Sequence, residues 1–393
     1  MPADSGTREL VFVAHTAQAS GAEKVMLDVI EVAVARGHRV RVVCPTGPLS
    51  ARLPDSVGHV PIRELGLTGQ QGAARIQAAL VMLWRWFQAA IVLRKVFRGG
   101  RVELVVNSTM ALPAVALSVP RRRSTVWLVH DILASRRQFV VARMGRRAVG
   151  RAVAVSERAA APVRALGFDV DVAWLGVKWP VEAAPIVERR PPVIGILGVI
   201  SAWKGHHVLL AAAAELPEVG IEIAGTALPG DEPYLAELQE RAARPDLAGR
   251  VRFLGHVDPL ATVRGWDVLV SASVLPEAGP LVVLEAMSLG VPVVATDHGG
   301  NVTDEVALCV APDDPVALGE ALRRLVHDPQ LRARLREAGR AHIATRHDRS
   351  RTLPRMVDVL LGVDHSNVSV PSARPGRRRT SGPRARGAGP ALR

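Results

Sequence analysis

Two glutamates eight positions apart, Glu277 and Glu285, carry the most specific chemistry in this sequence of 393 residues. Between them, Gly279 is suited to cap a helix. Pro280 suits the first helical position, where an N–H would have no partner in any case. Glu277 is therefore predicted in the loop before the helix, and Glu285 within it. Carboxylates in these two places can accept hydrogen bonds from the hydroxyls of two different sugar rings.

The start of this predicted helix is also a candidate anion site. Leu281 and Val282 would present backbone N–H groups that have no partner inside the helix. Such a helix end carries partial positive charge and binds phosphate readily. An anion site between two hydroxyl-binding carboxylates is the arrangement that a sugar nucleotide requires.

The rest of the chain alternates apolar runs with amphipathic stretches, which predicts βα units, parallel sheets and an α/β fold. The predicted strands are 10–14, 39–44, 104–107, 125–129 and 152–155, and then 193–197, 221–224, 251–253, 268–271 and 291–295. The predicted helices are 21–36, 71–98, 207–215, 233–243, 281–289, 315–340 and 347–361. A proline-rich stretch between the two series indicates a boundary, so 1–180 is the first domain, 181–192 a linker and 193–345 the second domain.

Polar or small residues follow three other predicted strands, at the edge where parallel sheets bind ligands. Gly21 precedes the first helix and would let a phosphate approach the backbone, although glycine there is also common in ordinary turns. His130 follows strand 125–129 and could contact a sugar hydroxyl or move a proton, although a structural histidine fits the same position. Lys204 is one of only four lysines, and we interpret it as a diphosphate partner rather than an ordinary exposed side chain.

Charge and composition limit the compartment and the partners. The net charge is +13, and residues 365–393 hold seven arginines and no acid. We expect a disordered basic tail at 364–393. It would either contact anionic lipid or nucleic acid, or be a solvated extension without a specific role. The two cysteines, Cys44 and Cys309, are expected to be free thiols in a reducing cytoplasm.

One predicted helix, 71–98, combines aromatic and basic residues. Arg85 and Gln88 interrupt its apolar run, so it is too polar to span a bilayer. An aromatic face of this kind is usually part of a core. Trp84 and Trp86, with Arg85, Arg94, Lys95 and Arg98 around them, would also suit a helix at a membrane interface. We therefore expect a cytoplasmic protein, with peripheral contact at the inner, anionic membrane face as an option and no specific nucleic-acid partner.

Four stretches of the chain together resemble a known enzyme family. They are Glu277-x7-Glu285, Lys204-Gly205, Ser20-Gly21-Ala22-Glu23 and Gly299-Gly300 followed by Glu305. The resemblance is to the retaining glycosyltransferases of family 4, and it covers nearly all of residues 8–360. It implies the GT-B fold, in which two Rossmann-like domains with parallel sheets face a central cleft. The first domain would bind the acceptor, the second would bind the donor, and residues 346–363 would form a helix that packs back on the first domain.

The resemblance also implies roles for single residues in a hexosyltransferase that uses a nucleotide-diphosphate sugar. Glu285 would bind the ribose and Glu277 the hydroxyls of the donor sugar. Leu281, Val282 and Lys204 would hold the diphosphate, next to Gly279 in the same loop. Gly21 would approach the phosphate from the first domain, and His130 would contact the sugar near its reacting carbon. No cofactor and no metal are expected, because a lysine and a helix dipole would stabilise the departing diphosphate.

The sequence departs from the family pattern at Val199, at Gly279-Pro280 between the two glutamates and in the short loop after Glu305, and these departures would alter the choice of donor or mark a weakened enzyme. Members commonly have an arginine after the glycine at 198, whereas this chain has Val199. The main hypothesis is a retaining transferase that uses a UDP- or GDP-sugar and a glycan, lipid-linked or small-molecule acceptor. The alternatives are a non-catalytic or weakened sugar-nucleotide-binding protein and, less favoured, a sugar-nucleotide epimerase of the same fold.

Overall fold

The structure is a computed structural model that describes residues 7–66, 74–97, 102–118, 124–179, 181–185, 191–297 and 302–363. The predicted basic tail at 364–393 and the glycine pair at 299–300 lie outside these ranges. Within the described part of the chain, no helix is both long enough and apolar enough to cross a membrane.

The first domain is built on a sheet of seven parallel strands. In chain order they are β1 (Glu9–Val13), β2 (Arg39–Cys44), β3 (Gly58–Pro61), β4 (Val102–Val106), β5 (Thr125–Val129), β6 (Arg151–Ala154) and β7 (Val170–Val172), and their spatial order is β3-β2-β1-β4-β5-β6-β7. The helices that connect them are α1 (Gly21–Ala35), α2 (Ala74–Phe97), α3 (Leu112–Ser118), α4 (Arg136–Gly145) and α5 (Glu157–Ala165). All residues of β5 are buried, as expected for a parallel strand covered on both faces.

The second domain repeats this plan with six parallel strands. They are β8 (Val193–Leu197), β9 (Gly220–Ala224), β10 (Val251–Gly255), β11 (Val268–Ser271), β12 (Val293–Thr296) and β13 (Leu308–Val310), in the spatial order β10-β9-β8-β11-β12-β13. The helices are α6 (His206–Ala214), α7 (Glu232–Ala242), α8 (Pro259–Val263), α9 (Leu281–Leu289), α10 (Pro315–His327) and α11 (Pro329–His342). The predicted α/β fold with two parallel sheets is confirmed.

In each sheet the strand order reverses beside the first strand of the domain, at β1/β4 and at β8/β11. Ligands of open parallel sheets bind in the crevice beyond the carboxyl ends at such a reversal. The register brings those ends level, since Val13 of β1 lies opposite Val43 of β2 and Val106 of β4. Residues that directly follow these strands therefore line the same edge.

The last helix, α12 (Arg349–Leu361), lies against α1 of the first domain. Arg349 forms ion pairs with Asp28 at 2.9 Å and with Glu31 at 3.1 Å, and Arg36 forms one with Asp358 at 2.6 Å. A π-helical turn, Ile343–His347, joins α11 to this helix. The second half of the chain thus returns to the first domain at its end.

The predicted single helix 315–340 is wrong, because the structure has two helices there. The side chain of Asp328 accepts a hydrogen bond from the N–H of Leu331 and so caps the start of α11. Pro329 occupies the first position of that helix, where its missing N–H is harmless. No bounds were predicted for the strands β3, β7 and β13 or for the helices α3, α4, α5 and α8.

Candidate active site

Lys204 is held in place by a glycine that the fold requires. After β8 the chain forms a 3-10 turn, Ala202–Lys204, and Gly205 follows with φ +72°. A Cβ on Gly205 would lie 1.9 Å from the carbonyl oxygen of Ala272, just beyond β11. The Lys204 loop and the loop after β11 are therefore in direct backbone contact, which the hydrogen bond from Val274 N–H to the Trp203 carbonyl reinforces at 2.8 Å.

This contact brings Lys204 to Glu277. The ammonium of Lys204 donates to Glu277 Oε2 at 2.6 Å, and the two side chains are only 17% and 12% exposed. The hydroxyl of Ser273 donates to the other oxygen of the same carboxylate. The ammonium also lies 4.4 Å from the centre of the Trp203 ring. The carboxylate is thus fixed by two donors beside the start of α9.

The start of α9 is the predicted anion site, with one correction. Pro280 is the residue before the helix, with extended backbone at φ −68° and ψ 118°, and the helix begins at Leu281. Gly279 is therefore not the cap as predicted, because the non-helical ψ of Pro280 moves the boundary by one residue. Among the described residues, no side chain caps this end. The N–H groups of Leu281 and Val282 consequently have no partner from a capping side chain and remain available to an anion.

Glu285 makes a contact that crosses from one domain to the other. The ammonium of Lys24, in α1, donates to Glu285 Oε1 at 2.9 Å. The Glu285 side chain is 11% exposed, whereas that of Lys24 is 51% exposed. Sequence reasoning missed Lys24 as a site residue. Its signals were the scarcity of lysine in this chain and its position directly after the Ser20-Gly21-Ala22-Glu23 stretch.

The start of α1 provides a second uncapped helix end in the cleft. Ser20 precedes the helix, but its hydroxyl donates to the carboxylate of Glu23 instead of capping a backbone N–H. A Cβ on Gly21 would meet no atom within 4 Å. Gly21 is therefore exposed and has open space in front of it, which a ligand can occupy.

His130 lies at the carboxyl end of β5 and pairs with a residue at the end of β4. Its Nε2 donates to Asn107 Oδ1 at 2.8 Å, and the Asn107 amide lies 3.5 Å from the carbonyl of Ala22 in α1. Burial lowers the pKa of His130 to about 4. The ring is therefore neutral near pH 7, and the Asn107 contact leaves Nδ1 unprotonated as a hydrogen-bond acceptor. Asn107 and Ser273 are further site residues that sequence reasoning missed.

The predicted site residues thus form two groups that the fold brings to facing edges. Lys204, Glu277 and the start of α9 are one contiguous group in the second domain, and Glu285 is linked to the first domain through Lys24. His130 forms the other group, and Asn107 of the same first domain holds it in position. A second contact between the domains is the ion pair of Arg158 with Asp297 at 2.8 Å. Among the described residues, no group of three or more His, Cys, Asp or Glu side chains is arranged to hold a metal ion.

Comparison with solved structures defines the class of the fold. The chain is similar to Anabaena Alr3699/HepE, crystallised with UDP and glucose, with a TM-score of 0.74 and 21% identity over 90% of this chain and 99% of that one. It is also similar to WaaG, a glycosyltransferase involved in lipopolysaccharide biosynthesis, with a TM-score of 0.67 and 15% identity over 90% and 100% of the two chains. The chain has two parallel-sheet domains whose carboxyl edges face each other, as these solved structures do, and its fold is therefore GT-B.

Sequence comparison defines the family. The model for glycosyl transferases group 1 matches residues 182–342, and the model for glycosyltransferase family 4 matches residues 19–178. The lipopolysaccharide core biosynthesis mannosyltransferase LpsB of Rhizobium meliloti is 27% identical over 80% of this chain and 86% of its own length. The phosphatidyl-myo-inositol mannosyltransferase of Mycobacterium leprae is 27% identical over 89% and 95% of the two chains. The chain belongs to the family 4 glycosyltransferases, which confirms the resemblance and the prediction of a hexosyltransferase.

Proposed function

We propose that this chain is a retaining glycosyltransferase that takes a hexose from a UDP- or GDP-sugar without a metal ion or other cofactor. The observation that carries this proposal is the contact of Lys204 with Glu277 beside the uncapped start of α9. It places a cation, a carboxylate and free N–H groups within one small region of the cleft. A diphosphate and the sugar attached to it need these three kinds of group.

In this proposal the second domain holds the donor. The carboxylate of Glu285 accepts hydrogen bonds from the ribose hydroxyls, and the N–H groups of Leu281 and Val282 bind the diphosphate. Lys204 neutralises the phosphate that bears the sugar, and Glu277 accepts hydrogen bonds from the sugar. Gly279 lets the loop between Glu277 and the start of α9 lie close to the ligand.

The reaction is a transfer at the anomeric carbon with retention of configuration. The bond from that carbon to the diphosphate oxygen breaks, and a bond to an acceptor hydroxyl forms on the same face. The proton of the acceptor passes to the departing phosphate oxygen, so no protein base is needed. Lys204 and the α9 dipole stabilise the negative charge that develops on the leaving group. His130, neutral and held by Asn107, contacts the sugar, and Gly21 lets the phosphate approach α1.

Lys24 can supply the positive charge that is absent at Val199. Family members commonly have an arginine at that position, and this chain supplies no charge there. Lys24 reaches the same cleft from the first domain and is half exposed, so it can leave Glu285 when ribose hydroxyls take its place. We assign it as the second cation for the diphosphate. If it does not fulfil that role, Val199 favours a binding protein with weak or no turnover.

We further propose a cytoplasmic location and a glycan, lipid-linked or small-molecule acceptor. Both cysteines are free, and burial raises the pKa of Cys44 to about 11 and that of Cys309 to about 12. Unreactive free thiols suit a reducing cytoplasm. The relatives named above include proteins whose names refer to lipopolysaccharide core and phosphatidyl-myo-inositol. These names support a glycan or lipid-linked acceptor in addition to the small molecules that the sequence allows.

The test is the release of free nucleotide from a panel of UDP-, GDP- and ADP-sugars, with and without a chelator. Slow release from a UDP- or GDP-sugar that the chelator does not affect supports the proposal. Tight binding without release, in the presence of mixed glycan and lipid acceptors, would favour the binding protein. Conversion of the sugar without release of nucleotide would indicate the epimerase, and loss of activity on chelation would refute metal independence.

A further inference from the structure

The residue that directly follows His130 is an aspartate without a partner. Asp131 lies beyond the carboxyl end of β5, at the edge of the sheet that faces the cleft, and it is exposed. Among the described residues, no group forms a hydrogen bond or an ion pair with its carboxylate. The carboxylate does not cap α4 either, because the side chains of Ser135 and Gln138 form the capping box of that helix. The folding of the first domain therefore does not explain this aspartate.

The Asp131 carboxylate is open to the cleft and yet poorly hydrated. Burial is the largest cause that shifts its pKa, and it raises the pKa above the usual aspartate value. A carboxylate that is exposed on one side and loses water on its other sides lies in a concave place. Such a group is destabilised until a hydrogen-bond donor reaches it. A ligand in the cleft can supply that donor.

The groups around Asp131 make this part of the cleft negative. His15, which follows β1, and Glu23, in α1, act on the pKa of Asp131, and no lysine or arginine of the described residues is among the groups that do. Burial lowers the pKa of His15, so its ring is neutral near pH 7. The Glu23 carboxylate is only 2% exposed and accepts a hydrogen bond from the Ser20 hydroxyl. Asp131 is therefore the carboxylate of this group that a ligand can reach, in a chain whose net charge is +13.

The two sides of the cleft thus differ in charge. In the proposed function, the diphosphate lies with Lys204 and the start of α9 in the second domain, and His130 contacts the transferred sugar near its reacting carbon. Adjacent residues have Cα atoms only about 3.8 Å apart, so Asp131 lies beside the place where an acceptor hydroxyl must approach that carbon. A carboxylate accepts hydrogen bonds and donates none. It binds a hydroxyl group and repels a phosphate or another carboxylate.

We propose that Asp131 selects the acceptor by accepting a hydrogen bond from a ring that carries hydroxyl groups and no phosphate or carboxylate. This inference rests on the proposed function, and it narrows the acceptor to a neutral hydroxylated ring, such as an unphosphorylated sugar or cyclitol. A phosphorylated ring would meet the negative charge around Asp131, so the selection includes repulsion of the wrong acceptor.

The experiment measures nucleotide release from the donor identified in the panel above, without an acceptor and with added acceptor probes. The probes are glucose, mannose and myo-inositol, each compared with its monophosphate. The test variant, Asp131→Asn, keeps the shape of the side chain and removes its charge. The matched control, Asp55→Asn, makes the same change at an exposed aspartate that precedes β3, at the opposite edge of the same sheet. Thermal unfolding shows whether both variants are folded.

In wild type, the neutral compounds should accelerate nucleotide release more than their monophosphates do. In Asp131→Asn, the acceleration by the neutral compounds should fall about 10–100-fold, as for the loss of a hydrogen bond to a charged group. The loss should lie mainly in a higher KM for the acceptor, and the preference for neutral over phosphorylated compounds should shrink. Asp55→Asn should behave as wild type in both respects.

The release measured without an acceptor separates this inference from the proposed function. If wild type releases no nucleotide from any donor, the proposed function itself fails. If wild type does release nucleotide, stronger acceleration by a monophosphate than by its neutral parent would overturn the role of Asp131. Equal acceleration in Asp131→Asn and wild type would overturn it as well, and so would acceleration by none of the neutral compounds.

Discussion

Replacing Lys204 with Met should affect stability and catalysis by two separable routes. The substitution keeps the apolar stem of the side chain and removes the ammonium that lies 2.6 Å from Glu277. Both side chains are mostly buried, at 17% and 12% exposed, so Glu277 would keep the hydroxyl of Ser273 as its one side-chain donor within the described part of the chain. Breaking such a pair from one side destabilises a protein by about 3 kcal/mol.

The catalytic effect should be larger than the effect on folding. If Lys204 stabilises the departing diphosphate, its loss should lower the rate of nucleotide release by about 10²–10³, in the range measured for the loss of one oxyanion donor. The double variant Lys204→Met with Glu277→Gln removes the uncompensated carboxylate charge. It should therefore recover most of the stability in urea unfolding while nucleotide release stays low.

Stability in urea and the rate of nucleotide release, measured on the same variants, together decide the role of Lys204. Arg241→Met is the matched control, because it breaks an exposed ion pair with Asp246 at 2.7 Å and should leave stability almost unchanged. Nucleotide release by Lys204→Met within a few-fold of wild type would refute a catalytic role. Recovery of release together with stability in the double variant would make Lys204 a purely structural partner of Glu277.

Three further predictions concern the core and the cleft. Burial lowers the pKa of both His206 and His347 to about 4 from 6.5. Their neutral rings therefore favour the folded state above pH 6.5, and this stability should be lost as the pH falls toward 4. At pH 5 the loss is about 2 kcal/mol for each ring, and His206→Leu should flatten the pH dependence of the urea midpoint. Gly205→Ala should lower nucleotide release about as much as Lys204→Met, because its Cβ would meet the Ala272 carbonyl at 1.9 Å; near-normal release in a folded variant would contradict this. Lys24→Met should lower the affinity for a nucleoside diphosphate by about tenfold relative to the affinity for the nucleoside, and an unchanged ratio of the two affinities in calorimetry would remove Lys24 from the diphosphate site.

The strands were the most predictable part of the fold. The bounds predicted for 39–44, 125–129, 193–197 and 268–271 are those of β2, β5, β8 and β11. Mostly apolar runs between polar loops are typical of strands buried on both faces, and in β2 Arg39 and Arg41 alternate with valines, which is typical of a strand with one polar face. The missed helices lack such a signal. The sequence of α3 is apolar without a helical period, and α5 contains Pro162, which the packing of the domain tolerates but a sequence pattern does not suggest.

In the candidate site, too, some features could be predicted from the sequence and others could not. Features within one segment were predictable, such as the helix that starts at Leu281 and the lysine before α6. Contacts between segments were not, since Lys204 and Glu277 are 73 positions apart and Lys24 and Glu285 are 261 positions apart. The first pair depends on the close backbone approach at Gly205, and the second depends on how the two domains meet. No local pattern of residues specifies either of these.

The proposed donor site depends above all on Glu285, which would bind the ribose of a nucleotide donor in this cleft. The most direct measurement is the affinity of wild type and Glu285→Gln for one nucleoside diphosphate and for its 2′,3′-dideoxy form, by calorimetry. Wild type should lose about 10–100-fold in affinity when the hydroxyls are removed, as for hydrogen bonds to a charged group, and Glu285→Gln should bind both ligands almost equally. Equal loss in both proteins would show that the ribose is bound elsewhere and that Glu285 has no part in it.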